Sequence, residues 1–178
     1  MRNSKEDLLN VEASETVVVY SFLMLRSMVS RPDCVENVMG AIRRLRPVLV
    51  VVIEVEANHN SLSLVDRFIE AFLFYSAYFD CLERSNQYRM NLEGILNTVA
   101  IEGQERTTRN VKNDVWRAFF ERFRMIEIEL NESSWYQANL VLNWFVYGSS
   151  CTLEHNGKGM VVGWKGTPIH SLTSWKFA

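Results

Sequence analysis

The sequence has 178 residues, the length of one ordinary globular domain, and 48% of them are hydrophobic while 22% are charged. Its 5 Trp, 6 Tyr and 10 Phe are typical of a packed core and argue against an intrinsically disordered chain. The formal net charge is -2, and because phosphate contacts supply most of the affinity of a DNA reader, this balance argues against tight direct binding to DNA.

The cysteine spacing and the length of the apolar runs indicate in which cellular compartment the protein works. Cys34, Cys81 and Cys151 are far apart and form no CxxC pair, so the sequence predicts neither a zinc site nor a disulfide framework. The first ten residues are polar and charged, unlike a signal peptide, and the apolar run 48–53 is too short to span a bilayer. We therefore expect a cytoplasmic or nuclear protein with no membrane partner.

The first elements alternate between strand and helix. The run TVVVY over 16–20 predicts a buried strand. Pro32 then begins a helix with arginines in its last turn, and Pro47 prevents it from continuing. The valine-rich run 48–55 is apolar on both faces, which predicts a strand in the middle of a parallel sheet.

A long helix is predicted next, ending at about Leu82. Ser63 and Asp66, three residues apart, resemble a capping box at its start. Residues at helical spacing predict the face that packs inward: Val65, Phe68, Ile69, Phe72, Ser76, Phe79 and Leu82.

The next elements are a polar loop over 84–91, a weakly indicated short helix around 95–99, and a firmer helix that Asp114 could cap. Alternation over 125–130 then predicts a half-exposed strand. The firmer helix carries one apolar stripe: Val115, Trp116, Phe119, Phe120 and Phe123.

A last helix and a hairpin complete the pattern. Ser133 or Ser134 could cap that helix, and the Asn-Gly pair at 156–157 predicts a tight turn between two strands. Pro168 in the tail suits an edge strand or a loop. The predicted inward face of the last helix comprises Tyr136, Leu140, Val141, Trp144 and Phe145.

This order predicts the fold class. Alternating strands and helices imply parallel strands with right-handed crossovers, and the hairpin implies an antiparallel edge. We therefore predict an α/β fold with the second half of a Rossmann-like, methyltransferase-like sheet and a closing antiparallel β-hairpin. No glycine-rich turn links a strand to a following helix, so the sequence predicts no nucleotide cofactor.

The segment 54–60, at the carboxyl end of the valine-rich strand, holds the strongest candidate residues, because open α/β sheets place ligands at the carboxyl ends of strands. Two carboxylates and an imidazole could hold a metal or do acid–base chemistry. Alternatively, the carboxylates orient the loop by accepting backbone N–H bonds, and the asparagines cap the next helix. The candidates are Glu54, Glu56, Asn58, His59 and Asn60.

Two further groups have open interpretations. Glu105 and Arg106 lie in a mixed-charge segment that forms either local ion pairs or a salt bridge to a partner or a second domain. Trp116 and Trp164 are interpreted as core residues. Trp175, near the end of the sequence, either pins the tail onto the sheet or is a binding hot spot.

Three stretches together resemble the plant GRAS family of transcriptional regulators. RPVLVVVIEVEANHNSLSLVDRFIEAFLFYSAYFDCLE is similar to the second leucine-rich region running into the PFYRE region, with Phe74 and Tyr75 at the aromatic pair. NTVAIEGQERTTRNVKNDVWRAFFERF resembles the PFYRE end and the start of the SAW region. MVVGWKGTPIHSLTSWKF resembles the closing SAW motif. The glycine of the family pattern eight residues after Trp116 is Arg124 here.

The resemblance implies three regions: a second leucine-rich region at about 10–46, a PFYRE-like region at about 47–110 and a SAW-like region at about 111–178. The family's first leucine-rich region and VHIID-like strand have no counterpart in these residues. DELLA-like and scarecrow-like members are the most similar. The resemblance implies a nuclear, non-enzymatic co-regulator that binds DNA-bound zinc-finger or helix-loop-helix transcription factors, in some members within gibberellin signalling, and that could dimerise with itself or other GRAS proteins.

Two alternatives stay open. The sheet order is shared with S-adenosylmethionine-dependent methyltransferases, so the sequence could be half of such an enzyme, although it lacks the cofactor loop. It could also be a non-functional truncated remnant. A half sheet exposes a strand edge and apolar surface, so we expect the isolated chain to dimerise or aggregate.

Overall fold

The computed structural model describes residues 11–12, 14–29, 31–59, 61–84 and 110–178. The predicted loop over 84–91 lies, apart from its first residue, outside the described residues, as does the short helix predicted around 95–99. Two short 3-10 helices, Leu25–Ser27 and Gly148–Ser150, connect larger elements. The α-helices are α1 (Pro32–Arg44), α2 (Leu64–Arg84), α3 (Asn113–Arg122) and α4 (Glu132–Trp144).

The described strands form one mixed sheet in the order β1-β2-β6-β5-β4. β3 pairs with the last residues of β6, on the side opposite to β2. β1 and β2 are parallel, while β6 runs antiparallel to β2, β3 and β5. The strands are β1 (Val18–Phe22), β2 (Leu49–Val55), β3 (Met125–Ile128), β4 (Cys151–Asn156), β5 (Gly159–Trp164) and β6 (Thr167–Phe177).

Several local predictions are confirmed. α1 begins at Pro32 and has Arg43 and Arg44 in its last turn. The Asp66 N–H donates to Ser63 Oγ at 3.3 Å, the first half of the predicted capping box. The β4–β5 hairpin turns at Gly157, whose φ of 60° is accessible to glycine at little cost. In these places the short-range sequence pattern determines the backbone.

The tail prediction is wrong, because β6 is the central strand of the sheet. Pro168 lies at its second residue, where the pairing with β5 shifts register next to Gly163. A proline can occupy this position because the ladder is already irregular there. β2 is an interior strand, as predicted. Its neighbour β1 is parallel to it and its neighbour β6 is antiparallel, so the surrounding sheet is mixed and not all parallel.

The first strand is also more exposed than predicted. Val18 and Tyr20, which lie in the run 16–20 predicted as a buried strand, are 54% and 62% exposed, and Phe22 after that run is 50% exposed. They share one face of an edge strand, and an edge strand receives cover from one neighbour only. The apolar sequence identified a strand but did not determine what covers it.

The predicted inward face of α2 is wrong. Val65, Phe68 and Phe72 are 65%, 62% and 62% exposed, whereas Ala71 and Phe74 on the opposite side are buried. α2 is apolar on both sides, so helical periodicity alone does not determine which side meets the sheet. The predicted inward face of α4 is wrong as well, because none of the residues of this helix is buried.

The caps of the two later helices also differ from prediction. Lys112, not Asp114, is the N-cap residue of α3, and Asp114 lies in the first helical turn. Asn131, not Ser133 or Ser134, caps α4, and its side chain accepts the Ser134 N–H at 2.9 Å. Both helices therefore begin two or three residues earlier than the predicted caps imply.

Two apolar clusters hold the described elements together. The first packs α1 and α3 on the sheet and centres on Phe120 and Trp175, whose ring centroids are 4.7 Å apart. The second packs α2 on the sheet through Phe74, Trp164 and Ile169. No helix in the described part of the chain is long and apolar enough to cross a membrane.

Candidate functional site

The candidate residues at the carboxyl end of β2 contact two other segments of the chain. Glu54 Oε1 accepts the backbone N–H of Leu25, which follows β1, at 2.7 Å. Glu56 Oε2 accepts the backbone N–H of Asn113, the first residue of α3, at 3.0 Å. Glu54 and Glu56 are only 1% and 9% exposed. The two carboxylates therefore hold the loop after β1 and the start of α3 against the carboxyl end of β2.

His59 extends this polar cluster towards Asn110. The His59 backbone N–H donates to the Asn110 carbonyl oxygen at 3.2 Å, and the His59 Nδ1 and Asn110 Nδ2 atoms are 3.1 Å apart. Arg26 Nη1 donates to Asn110 Oδ1 at 3.5 Å. Asn110 therefore links the loops that follow β1 and β2. We call Arg26, Glu54, Glu56, His59, Asn110 and Asn113 the polar cluster.

The aromatic pair predicted from the PFYRE-like motif packs on His59. The His59 ring lies 5.3 Å from the Phe74 ring in an edge contact and 5.6 Å from the Tyr75 ring in a stacked one. Both aromatic residues lie on α2, so the pair fixes the imidazole against the helix. The structure thus brings together five of the predicted site residues: Glu54, Glu56, His59, Phe74 and Tyr75.

Burial sets the electrostatics of the two carboxylates. Removal from water raises the pKa of Glu54 to about 7, and the Leu25 N–H and the Arg26 charge only partly oppose this effect. Burial also raises the pKa of Glu56, opposed mainly by the Asn113 N–H. Glu54 Oε2 accepts no hydrogen bond from any described residue. A carboxylate at this position is therefore costly, and the proton affinity of Glu54 is increased.

The hydrogen bonds favour the structural interpretation of these residues. One oxygen of each carboxylate accepts a backbone N–H, which is the loop-orienting alternative of the sequence analysis. Within the described ranges, no three His, Cys, Asp or Glu side chains are grouped as a metal site requires. Asn58 is partly buried beside the cluster. Asn60, Glu105 and Arg106 lie outside the described residues.

The three predicted tryptophans lie in the two cores. Trp116 and Trp175 are 3% and 1% exposed in the first cluster, and Trp164 is 2% exposed in the second. The Trp175 Nε1–H donates to Thr173 Oγ1 at 2.8 Å, so its polar atom is satisfied inside the core. Trp175 therefore lies in the core on the central strand β6.

Two polar contacts were missed by the sequence analysis. Asp80 on α2 accepts the Trp164 Nε1–H at 2.6 Å and the Lys165 Nζ at 2.8 Å, and these two donors hold its pKa at about 2. Arg117 on α3 pairs with Glu127 on β3 at 2.9 Å. The apolar–polar alternation over 125–130 placed Glu127 on the face opposite to the isoleucines, but it did not show that Arg117 is its partner.

Arg117 also reaches the hairpin turn. Its Nη1 donates to Asn156 Oδ1 at 2.7 Å, and its Nη2 donates to the Asn156 carbonyl oxygen. A Cβ atom at Gly157 would lie against the Arg117 guanidinium, so glycine at this turn leaves room for the arginine and adopts its positive φ at little cost. Arg117 thereby ties α3, β3 and the hairpin together.

The mixed sheet, with helices packed on it and β6 at its centre, is that of an α/β domain. The GRAS domain family model matches residues 1–176. The chain therefore belongs to the GRAS domain family. It is 33% identical over 173 residues to DELLA protein 2 of Medicago truncatula, covering 93% of this chain and 32% of that protein. It is 34% identical over 169 residues to DELLA protein GAIP of Cucurbita maxima, covering 91% of this chain and 29% of that protein.

A solved structure supports the fold. The crystal structure of SCL7 in Oryza sativa superposes with a TM-score of 0.84 at 24% sequence identity, covering 96% of this chain and 51% of that one. The predicted α/β, Rossmann-like fold is thereby confirmed. The chain spans about a third of the length of the curated relatives and about half of the solved chain.

Proposed function

We propose that the chain is part of a plant transcriptional regulator that works in the nucleus by contacting DNA-bound transcription factors. Its membership of the GRAS family, over residues 1–176, is the observation that carries this proposal. The relatives named DELLA proteins point towards gibberellin signalling as the setting. Zinc-finger and helix-loop-helix factors are the partner types, and the formal net charge of -2 suits binding to a protein better than binding to DNA.

We further propose that the chain acts without catalysis and without a cofactor. Glu54 and Glu56 each use a carboxylate oxygen on a backbone N–H, which supports a structural role at the carboxyl end of β2. In a methyltransferase this end of the sheet receives the cofactor beside a glycine-rich turn. Here the 3-10 helix Leu25–Ser27 follows β1 and is held by Glu54.

The three family regions remain part of the proposal. α1 falls in the second leucine-rich region at about 10–46, and β2 and α2 fall in the PFYRE-like region at about 47–110. The elements from α3 onward fall in the SAW-like region at about 111–178.

A mobility-shift experiment tests the partner proposal. A labelled DNA site is mixed with plant zinc-finger or helix-loop-helix factors, with and without the purified chain, at physiological salt. We expect the chain to slow the factor–DNA complex and to leave naked DNA unshifted. A shift of naked DNA at the same concentration, or no effect on any factor of either type, would contradict the proposal.

Saturation-transfer NMR with S-adenosylmethionine tests the non-catalytic part separately. We expect no transfer from the protein to the cofactor at millimolar ligand. Clear transfer that unlabelled S-adenosylhomocysteine competes away would favour the methyltransferase alternative.

A further inference from the structure

Four exposed cations lie at one end of the described sheet. β2 and β3 begin at this end and β6 ends there, because β6 runs antiparallel to both of them. Arg46 precedes β2, Arg124 directly precedes β3, and Lys176 is the last residue but one of β6. Arg43, in the last turn of α1, lies over the Phe177 ring, with its guanidinium carbon 5.8 Å from the ring centroid. We call Arg43, Arg46, Arg124 and Lys176 the basic edge.

The strand spacing keeps these charges close together. β6 lies between β2 and β3, and adjacent strands are about 4.8 Å apart, so the backbones of β2 and β3 are roughly 10 Å apart. The ion pairs of the described residues involve other cations: Arg84, Lys112, Arg117, Arg122 and Lys165. None of the carboxylates in the described ranges therefore forms an ion pair with the basic edge.

Two of these arginines have backbone conformations that favour glycine. Arg46 and Arg124 have φ values of 47° and 57°, and each follows the C-cap residue of a helix. The Arg46 N–H donates to the Arg43 carbonyl oxygen at 3.2 Å, and the Arg124 N–H donates to the Glu121 carbonyl oxygen at 2.9 Å. Glycine at such a position makes the same hydrogen bond with less strain. Since the effect of the helix dipole on a cation falls off beyond the last turn, local structure gives no reason for arginine at these two positions.

Apolar side chains are exposed among the cations. Val48, which directly precedes β2, is 59% exposed, and Ile126, which pairs with Lys176 across the β3–β6 ladder, is 46% exposed. Phosphate groups are bound by cations and hydrogen-bond donors, and the formal net charge of -2 works against the attraction of DNA at a distance. A ligand that carries both carboxylates and bulky apolar side chains matches both features of this surface.

We propose that the basic edge binds an acidic protein segment in which carboxylates alternate with bulky apolar residues. Arginine clusters recognise acidic motifs through charge-assisted, often bidentate, hydrogen bonds to carboxylates. Arg46 and Arg124 supply those bonds, and Val48 and Ile126 contact the apolar residues. Alternating acidic and apolar residues are typical of disordered activation segments. The inference goes beyond the proposed contact with DNA-bound factors and does not depend on it.

Fluorescence anisotropy of a labelled peptide in which glutamates alternate with leucines tests this proposal with the purified chain. We expect a dissociation constant on the order of tens of micromolar that rises with salt, because the charges are exposed. Arg46→Gly combined with Arg124→Gly should raise the dissociation constant at least about fivefold. Both turns are kept in this double variant, because glycine suits their φ values.

Lys165→Gly is the matched control. Lys165 is also an exposed cation with a positive φ, 49°, but it lies in the turn between β5 and β6, at the opposite end of β6 from Lys176. Its replacement should leave the dissociation constant unchanged, and circular dichroism should show native secondary structure in all variants. An affinity that the double variant leaves unchanged, or that Lys165→Gly lowers equally, would overturn the proposal.

Further probes test the class of partner and the location of the site. A peptide with lysines in place of the glutamates should not bind, and a DNA duplex should bind more weakly than the acidic peptide. NMR titration with the acidic peptide should shift the amide signals of Val48 and Ile126 and leave those of Lys165 and Gly166 in place. The proposal is contradicted by no binding of the acidic peptide up to millimolar concentration, by equal binding of the lysine peptide, or by shifts confined to the Lys165 turn. Tighter binding of the duplex would identify nucleic acid as the ligand instead.

Discussion

At the residue scale, the buried side chains of the polar cluster connect three segments of the chain by hydrogen bonds. Glu54 lies near the end of β2, and Glu56 and His59 lie in the loop that follows it. In the folded chain their partners are backbone groups or amides of the two neighbouring segments, among them Leu25 and Asn113. The polar cluster thereby fixes how the loops after β1 and β2 meet the start of α3.

Replacing Glu54 by Gln keeps an oxygen that can accept the Leu25 N–H and removes the ionisable carboxyl group. The folded pKa of about 7 lies above the ordinary 4.5, so the stability contributed by the protonated carboxyl is lost as pH rises from about 4.5 to about 7. We expect Glu54→Gln to raise the free energy of unfolding by about 1–2 kcal/mol at pH 8 and to change it little at pH 5.

Urea unfolding of both proteins at the two pH values measures this difference. His170, whose partly buried imidazole has a pKa lowered to about 4 by desolvation, acts in the opposite direction and is common to both proteins. If Glu54→Gln lowered the free energy of unfolding equally at both pH values, the fold would require the carboxyl group of Glu54 whether it is protonated or ionised.

At the element scale, the end of α3 shows the cost of a departure from the family pattern. Arg124 stands where the pattern has glycine, and its φ of 57° is in the left-handed region that follows many helix ends. Its side chain is exposed, and its backbone carbonyl accepts the Ala178 N–H at 2.9 Å. The chain therefore keeps the turn at the expense of backbone strain.

Arg124→Gly should relieve that strain. We expect a gain of about 0.5–1 kcal/mol in the free energy of unfolding, because the strain removed exceeds the extra entropy of glycine in the unfolded chain. Differential scanning calorimetry should show a rise of a few degrees in Tm. Arg122→Gly, two residues earlier in the helical region, is the control and should lower Tm.

At the scale of the whole molecule, β6 joins the two cores, since it pairs with β2, β3 and β5 and carries both Ile169 and Trp175. Residues from the end of the sequence thus lie at the centre of the sheet. Loss of Trp175 should therefore lower the stability of the whole fold and not only the order of the tail.

Trp175→Ala should cost about 3–5 kcal/mol, because it empties a fully buried site against Phe120. Trp144→Ala is the matched control: this tryptophan is 86% exposed, and its loss should change stability by less than about 0.5 kcal/mol. Equilibrium unfolding followed by far-UV circular dichroism measures both. Similar losses for the two variants would mean that Trp144 is buried in an assembly in solution.

The sequence by itself determined the family, the alternation of strands and helices, the Pro32 helix start and the Asn-Gly hairpin, because each depends on neighbouring residues. The tertiary structure decided which face of α2 is buried, that the proline-containing tail is the central strand, and that Arg117 finds Glu127 and Asn156. These outcomes depend on partners distant in the chain. Where a helix is apolar on both sides, or a strand apolar throughout, the local pattern is compatible with more than one packing, and long-range contacts make the choice.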